Sequence, residues 1–322
     1  MKQFYVQQNE AGQRLDKLLA KLLNKAPKSF LYKMLRKKNI TLNGKKAEGS
    51  ELLSVQDEIK IFLSDETFAL FSEPVTTTVV EDDLEVIYED QNILIINKPV
   101  GILSQKADKK DISMVEYIIS YLISTKQITE EQLRSFKPGV CNRLDRNTSG
   151  LLIAGKSLSG LQEMSRLLKD RSMDKYYLTI VKGDLQGKRR IEGFLAKDEV
   201  KNQVKIYPAK TENSEYIATE YEAIATTVKK DYTLLQVKLI TGRSHQIRAH
   251  LSSIGHPLIG DTKYGDRTVN KLFQAKYGLS HQLLHSYRLV FPKMHGEYEC
   301  LSGRGFLADP PKLFEKIKRD LF

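Results

Sequence analysis

The residues able to do chemistry concentrate in two short segments. Arg143-Leu144-Asp145-Arg146-Asn147-Thr148-Ser149-Gly150 sets one carboxylate between two arginines in a run of turn-forming residues. Thr241-Gly242-Arg243-Ser244-His245-Gln246-Ile247-Arg248-Ala249-His250 puts a Gly-Arg turn ahead of the start of a basic helix. An Asp in such a turn can cap a helix or close an Asx-turn, because its side chain bonds nearby backbone N–H groups. It can equally serve as a nucleophile or base toward a bound substrate. The first segment alone leaves these roles open. A carboxylate-dependent glycoside hydrolase would need a second acid at a suitable separation, and no second acidic residue stands in a motif.

No metal or cofactor is expected. His245 and His250 are five positions apart, not the four of His-Glu-x-x-His, and neither has an acidic neighbour in sequence. The chain has no Gly-x-Gly-x-x-Gly and no Walker loop, which argues against dinucleotides and nucleoside triphosphates.

These segments need elements to position them. Leu15, Leu18, Leu19, Leu22 and Leu23 form one apolar stripe, which predicts an amphipathic helix over 14–24. Pro27 suits the first position of a second helix, with Phe30, Leu31, Met34 and Leu35 on its apolar face. Lys28, Lys33, Arg36, Lys37 and Lys38 make the opposite face basic. Ile40-Thr41-Leu42 reads as a strand, Asn43-Gly44 as a tight turn, and 58–63 as a later strand. Residues 64–82 hold Pro74 and Thr76-Thr77-Thr78 without helical period and read as a linker with some extended structure. Beyond it, 86–90 and 93–96 flank a turn in a hairpin pattern, and Asn97-Lys98-Pro99-Val100-Gly101 ends the second strand. Helices are expected at 113–123 and 158–169, and strands at 176–182, 216–224, 232–240 and 284–291. The absence of regular βαβ alternation argues for an α+β fold around a mainly antiparallel sheet. The expected units are 1–64, a linker over 65–83, and 84–322.

Composition bounds the partner. The net charge is +11 over 322 residues, which favours a polyanion. Residues 1–64 carry 13 Lys and Arg against 6 Asp and Glu, so most of the excess sits in the first fifth of the chain, as in a nucleic-acid-binding module. The longest apolar runs are too short to span a bilayer. The N-terminus lacks an apolar signal core, and two cysteines are too few for a disulfide framework, so the cytoplasm is the expected compartment.

The two segments in this order, with Lys175-Tyr176-Tyr177-Leu178-Thr179-Ile180-Val181-Lys182-Gly183 between them, resemble the signatures of the RluA/RluC-type RNA pseudouridine synthases. The first matches the family's His-Arg-Leu-Asp-x-x-Thr-Ser-Gly-Leu-Leu except that Asn142 stands where His is common. The strand resembles Lys-x-Tyr-x-Ala-x-Val-x-Gly, which aligns Tyr177, with Thr179 in place of the usual Ala. Arg14-Leu15-Asp16-Lys17, Pro27-Lys28-Ser29 and Leu42-Asn43-Gly44-Lys45 resemble an αL-type RNA-binding module shared with a small-subunit ribosomal protein. The likeness runs from about residue 12 to residue 292 and implies the pseudouridine synthase fold.

The resemblance implies isomerisation of uridine in structured RNA, with Asp145 as the catalytic carboxylate and no cofactor. It assigns Arg248 as the cation beside Asp145, Tyr177 as the ring that stacks on the target base, and Arg143 to displacing that base or holding its phosphate. Arg243 and His245 are then RNA contacts, as are Lys28, Lys33, Arg36 and Lys37 on the N-terminal helix. The nearest subgroup is RluC-like, implying large-subunit (23S) ribosomal RNA as substrate; the chain is expected to be a monomer, although its sequence says little on oligomeric state. A transfer-RNA-directed or RluD-like synthase is the alternative, and so is a non-catalytic ribosome-assembly protein on the same fold.

Overall fold

The computed structural model describes residues 1–73, 80, 84–198 and 203–322. The N-terminal unit is built from β1 (Lys2–Tyr5), α1 (Leu15–Leu22), α2 (Lys28–Arg36), β2 (Ile40–Leu42), β3 (Lys45–Lys46), β4 (Glu58–Ile61) and α3 (Asp65–Phe71). Its sheet runs β1-β4-β2-β3, all antiparallel. Asn43 and Gly44 both adopt positive φ, at 51° and 73°, which closes the β2–β3 hairpin. The leucine stripe of α1 meets Leu31, Met34 and Leu35 of α2 and Ile40, Ile59 and Ile61 of the sheet in one core.

The stretch expected to be an extended linker begins differently. Residues Asp65–Phe71 form α3, capped by the Ser64 hydroxyl on Thr67 N–H at 3.2 Å. Phe68 and Phe71 pack onto the N-terminal core. Two aromatic positions in a seven-residue helix are too few for a periodic signal, so the packing of Phe68 on Phe4 of β1 and of Phe71 on Phe30 of α2 decides the conformation. Pro74 and the Thr76-Thr77-Thr78 run lie outside the described residues.

The larger unit comprises β5 (Val86–Glu89), β6 (Ile93–Lys98), α4 (Met114–Ser124), β7 (Gly139–Val140), β8 (Ser149–Gly155), α5 (Leu158–Lys169), β9 (Asp174–Lys182), β10 (Lys188–Asp198), β11 (Gln203–Tyr207), β12 (Ser214–Thr226), β13 (Tyr232–Leu239), α6 (Gln246–Ser253), α7 (Arg267–Tyr277), β14 (Leu284–Val290), β15 (Gly305–Leu307) and α8 (Lys312–Leu321). One sheet runs β11-β10-β12-β13-β9-β14-β8-β6-β5, with β15 on β14 and β7 on β8. Among the described residues only β14 and β8 pair in parallel. This is an α+β architecture on a mainly antiparallel sheet, as expected.

The apolar runs of β6 and β8 are covered on both faces, as continuous hydrophobic strands require. Leu94, Ile96, Leu152 and Ala154 face a core with Tyr177, Val237, Ile247 and Leu251. Ile93, Ile95, Leu151 and Ile153 face another with Met164, Leu289 and Phe291. Strands β10 and β11 and helices α7 and α8 are additions to the expected elements. Lys188-Arg189-Arg190-Ile191-Glu192 is too polar to read as a strand, and sits at a sheet edge where both faces are partly wet. Helix α7 has a legible frame, with Asp266 capping Thr268 and Val269 N–H and Gly278 ending it at φ 71°.

Gly150 pairs with Ser286 where β8 and β14 run in parallel, just after the loop carrying Asp145. Its φ is +108°, and a Cβ there would lie 2.2 Å from the Ser286 carbonyl oxygen. Gly150→Ala should therefore cost about 3 kcal/mol or more, from strain and a clash with backbone that cannot yield. Denaturant unfolding of the variant checks this; a change within about 0.5 kcal/mol, as at an ordinary surface position, would contradict it.

Candidate active site

Asp145 lies in the loop between β7 and β8, and the backbone on either side of it is tied down. Leu144 is held at both ends of its peptide by Ser104: its N–H donates to Ser104 Oγ at 3.0 Å, and Ser104 Oγ donates to its carbonyl at 2.9 Å. The Arg146 carbonyl accepts from Gly101 N–H at 2.9 Å and from Lys98 Nζ at 3.0 Å. Thr148 N–H closes the turn onto the Asp145 carbonyl at 3.0 Å. A side chain on a loop pinned in this way is preorganised, because its backbone has no freedom left to lose on binding. Asn142, the position at which His is common in the resembling family, extends the same logic. Its Oδ1 accepts from Ile153 N–H at 2.8 Å and its Nδ2 donates to the Leu151 carbonyl at 3.3 Å, registering the loop on β8.

The second segment delivers Arg248. Gln246 is buried and anchors the turn. Its amide donates to the Ala218 carbonyl and to Thr219 Oγ1, each at 3.0 Å. Its Oε1 accepts from Thr241 Oγ1 at 2.8 Å and Arg243 N–H at 3.1 Å. His245 turns the chain into α6 with a left-handed φ of 54°, an uncommon conformation for a side-chain-bearing residue. One turn on, Arg248 Nη1 donates to Asp145 Oδ2 at 2.7 Å. Its Nε and Nη2 form a fork onto Asp261 at 2.7 and 2.9 Å. Burial opposes charge on Arg248, but Asp261 and Asp145 outweigh it and hold the guanidinium pKa above its ordinary value. Burial likewise works against the Asp261 carboxylate, and Arg248 again prevails, so its pKa lies below the usual range.

Tyr177 shares the core face of the sheet with Leu152, Ile247 and Leu251. Burial pushes its hydroxyl up to about 12, and the Asp145 charge acts in the same direction. Tyr176 faces elsewhere, beneath Arg288 and Lys238 at 5.2 and 5.6 Å from its ring centre. Thr179, in place of the usual Ala, is fully buried and satisfies its hydroxyl on the Leu283 carbonyl at 2.7 Å.

Of the expected site residues, the fold brings Asp145, Arg248 and His245 together, with His245 Nε2 at 4.0 Å from Asp145 Oδ2. Arg143 is exposed beside this cluster in sequence, and Arg243 is exposed and paired with Glu215 at 2.5 Å. Lys28, Lys33, Arg36 and Lys37 belong to the N-terminal unit, are exposed, and form no ion pair with another described residue. His250 bonds Thr219 Oγ1 at 3.0 Å, and burial pulls its pKa down to about 4. Sequence reasoning missed Asp261, Ser104 and Lys98. Lys98-Pro99 and Gly260-Asp261 are visible as turn-like dipeptides, but nothing local marks their partners.

The family models match here. The chain matches the RNA pseudouridylate synthase family over residues 92–253 and the S4 domain over residues 13–59. It is 30% identical over 292 residues to an uncharacterized RNA pseudouridine synthase of Mycoplasma genitalium, covering 90% of this chain and 89% of that one. It is also 30% identical over 297 residues to ribosomal large subunit pseudouridine synthase C of Escherichia coli K12, covering 88% and 86%. A solved structure of human RNA pseudouridylate synthase domain containing 4 shares the fold, with a TM-score of 0.55 at 21% identity over 72% of this chain and 90% of that one. The chain belongs to the RNA pseudouridine synthase family, with an N-terminal S4 domain, and is an isomerase.

Lys98 carries a consequence for stability. It is fully buried under the Asp145 loop, and burial pushes its ammonium down to about 7, with Asp145 acting in the other direction. The unfolded chain, with an ordinary lysine, binds this proton up to about pH 10.4. Its burial therefore penalises the fold fully below pH 7, and the penalty fades as pH rises from 7 toward 10. Lys98→Met should remove up to about 1.4 kcal/mol per pH unit of rising stability across that window. Unfolding free energies of both proteins at pH 7, 8 and 9 test this, and parallel profiles would refute it.

Proposed function

We propose that this enzyme isomerises specific uridines of large-subunit ribosomal RNA, with Asp145 as the carboxylate that acts at the ribose. The observation that carries this reading is the Asp145–Arg248–Asp261 arrangement. Arg248 occupies Asp145 Oδ2, while Oδ1 has no hydrogen-bond partner among the described residues. One carboxylate oxygen is fixed and the other is left for substrate, on a side chain whose exposure is 26%. Asp261, in contrast, is fully enclosed and both its oxygens are engaged, so it serves Arg248 and not the reaction.

Isomerisation breaks the bond from uracil N1 to the ribose, turns the base, and joins C5 to the same carbon. The C5 proton leaves and N1 gains one, so nothing is consumed. A uridine in folded RNA must first leave its stack, at a cost of a few kcal/mol, and Arg143, exposed beside the loop, is suited to fill the gap or clamp phosphate. The stacking partner for the extruded base is Tyr177, whose buried ring lies within the field of the Asp145 charge. Burial raises its pKa to about 12, so its phenolate is scarcer near neutrality than that of an ordinary tyrosine.

The large-subunit target is supported by the likeness to pseudouridine synthase C over most of both chains. An enzyme with that substrate works in the cytoplasm, where ribosomal RNA is found. The S4 domain supplies affinity through the basic face of α2, with Lys28, Lys33, Arg36 and Lys37 on phosphates.

Asp145→Asn keeps size and turn propensity but removes the charge. It should lower turnover by at least about a thousandfold while binding of large-subunit RNA transcript stays within a few-fold of wild type. Tritium release from C5-labelled uridine measures the first and filter binding the second. Near-normal turnover would remove Asp145 from the mechanism. A chain lacking residues 1–73, which takes α3 away with the core it packs on, should bind RNA more weakly. Its log affinity should also fall less steeply with log salt, since fewer counterions are released. Equal slopes for the two chains would show that the S4 domain is not the electrostatic anchor.

A further inference from the structure

Tyr264 stands between three parts of the site. Its backbone N–H donates to Asp261 Oδ1 at 3.0 Å and its carbonyl accepts from Ser252 Oγ at 2.9 Å, so its position is fixed by the turn that holds Arg248. Its ring lies 5.3 Å from the Arg248 guanidinium carbon and edge-on to the His245 ring at 5.7 Å. Its hydroxyl has two partners: Val204 N–H of β11 at 2.8 Å and His245 Nδ1 at 2.9 Å.

The donor inventory fixes the first of these bonds and leaves one proton for the second. A backbone N–H can only donate, so Tyr264 Oη accepts from Val204. The phenol has one proton to give, and His245 Nδ1 is the acceptor in reach. When the phenol donates there, Nδ1 is the bare nitrogen of a neutral imidazole and the ring proton sits on Nε2. Nε2 is the atom that faces Asp145, 4.0 Å from Oδ2. That gap is too long for a direct hydrogen bond, so the donor is available to an oxygen of the nucleotide entering beside the carboxylate.

We propose that Tyr264 is a positioning residue whose hydroxyl, fixed by Val204 N–H, locks His245 as the Nε2–H tautomer and aims that proton into the active site. This rests on Asp145 being the catalytic carboxylate. His245 thereby acts as a neutral hydrogen-bond donor to an oxygen of the reacting nucleotide and not as a base. The surroundings agree. Burial lowers the His245 pKa; the Asp145 and Asp261 carboxylates act to raise it, and Arg248 and Lys263 to lower it further. The relay also makes β11, from the edge of the sheet, part of the active-site wall. Val204 belongs to a small apolar cluster with Ile217 of β12 and Ala249 of α6, against which Tyr264 packs.

Tyr264→Phe keeps the ring contacts with His245 and Arg248 and removes only the hydroxyl. The first measurement is long-range proton–nitrogen correlation on protein labelled with 15N-histidine, without RNA, at pH 7, with His245→Gln used to assign the signal. Wild type should show the pyrrole-like nitrogen at Nε2 and the pyridine-like one at Nδ1, and Tyr264→Phe should show a mixture of tautomers. A wild-type ring with Nδ1–H or with two protons overturns the proposal, as does a Tyr264→Phe spectrum identical to wild type. The second measurement is turnover on large-subunit ribosomal RNA transcript, with thermal melts to confirm folding. Tyr264→Phe should lower kcat about tenfold with KM little changed. His245→Gln, whose amide nitrogen can stand where Nε2 does, should recover most of the turnover lost in His245→Ala, while His245→Asn, which reaches only to Nδ1, should not. Equal losses in Gln and Asn overturn it. Because the spectra need no substrate, an inactive wild type with the expected tautomer would point to a wrong RNA and leave the relay standing.

Discussion

Arg248 is buried, and a guanidinium out of water is tolerable only when its donors meet charge in the right geometry. Asp261 meets that need as a planar fork, two parallel bonds on a carboxylate that is itself fully enclosed. Such a pair adds little net stability relative to apolar residues, since desolvating both ions offsets their attraction. What it provides is direction. With Nε and Nη2 committed to Asp261, Nη1 can point only along one line, and Asp145 lies on it. The partly exposed carboxylate is therefore oriented by a cation that cannot swing away, and the rest of the site is arranged around that fixed axis.

The loop under Asp145 follows the same principle in backbone form. Ser104 brackets Leu144, and Gly101 and Lys98 hold Arg146, so the residue between them inherits its position from bonds on both sides. Lys98 shows that this arrangement is not optimal for stability. A buried ammonium whose pKa falls to about 7 carries a free-energy cost that an apolar side chain would not. Its placement beside Asp145 fits the general pattern in which strained or poorly solvated groups collect at functional sites. The two departures from the family pattern, Asn142 and Thr179, are absorbed without leaving a polar group unmet, since each finds backbone partners on a neighbouring strand or loop.

The two units carry their charge differently. The S4 domain carries its basic residues on the outer face of α2, exposed to solvent, where salt screens them. The synthase domain keeps its decisive charges inward and paired.

Much of this is readable from residue order alone. The leucine stripe of α1, the apolar face of α2, the Asn43-Gly44 turn and the strands β6, β8, β9, β12, β13 and β14 are local patterns, set by side-chain periodicity and turn chemistry within a few residues. The two signature segments and the Tyr177 strand, too, are contiguous, so Asp145, Tyr177 and Arg248 stand out in the sequence by itself. Other features do not. The α3 helix forms because Phe68 and Phe71 find a core assembled from elsewhere, and β10 is a strand because β12 pairs with it, despite its charged sequence. The partners of the named residues are equally hidden. That Arg248 leans on Asp261, that Lys98 and Ser104 hold the loop, and that Tyr264 bridges His245 to Val204 depend on strands distant in the chain meeting in one sheet. Hydrogen bonds and ion pairs of this kind leave no periodic trace in sequence, because their geometry exists only once the sheet has closed.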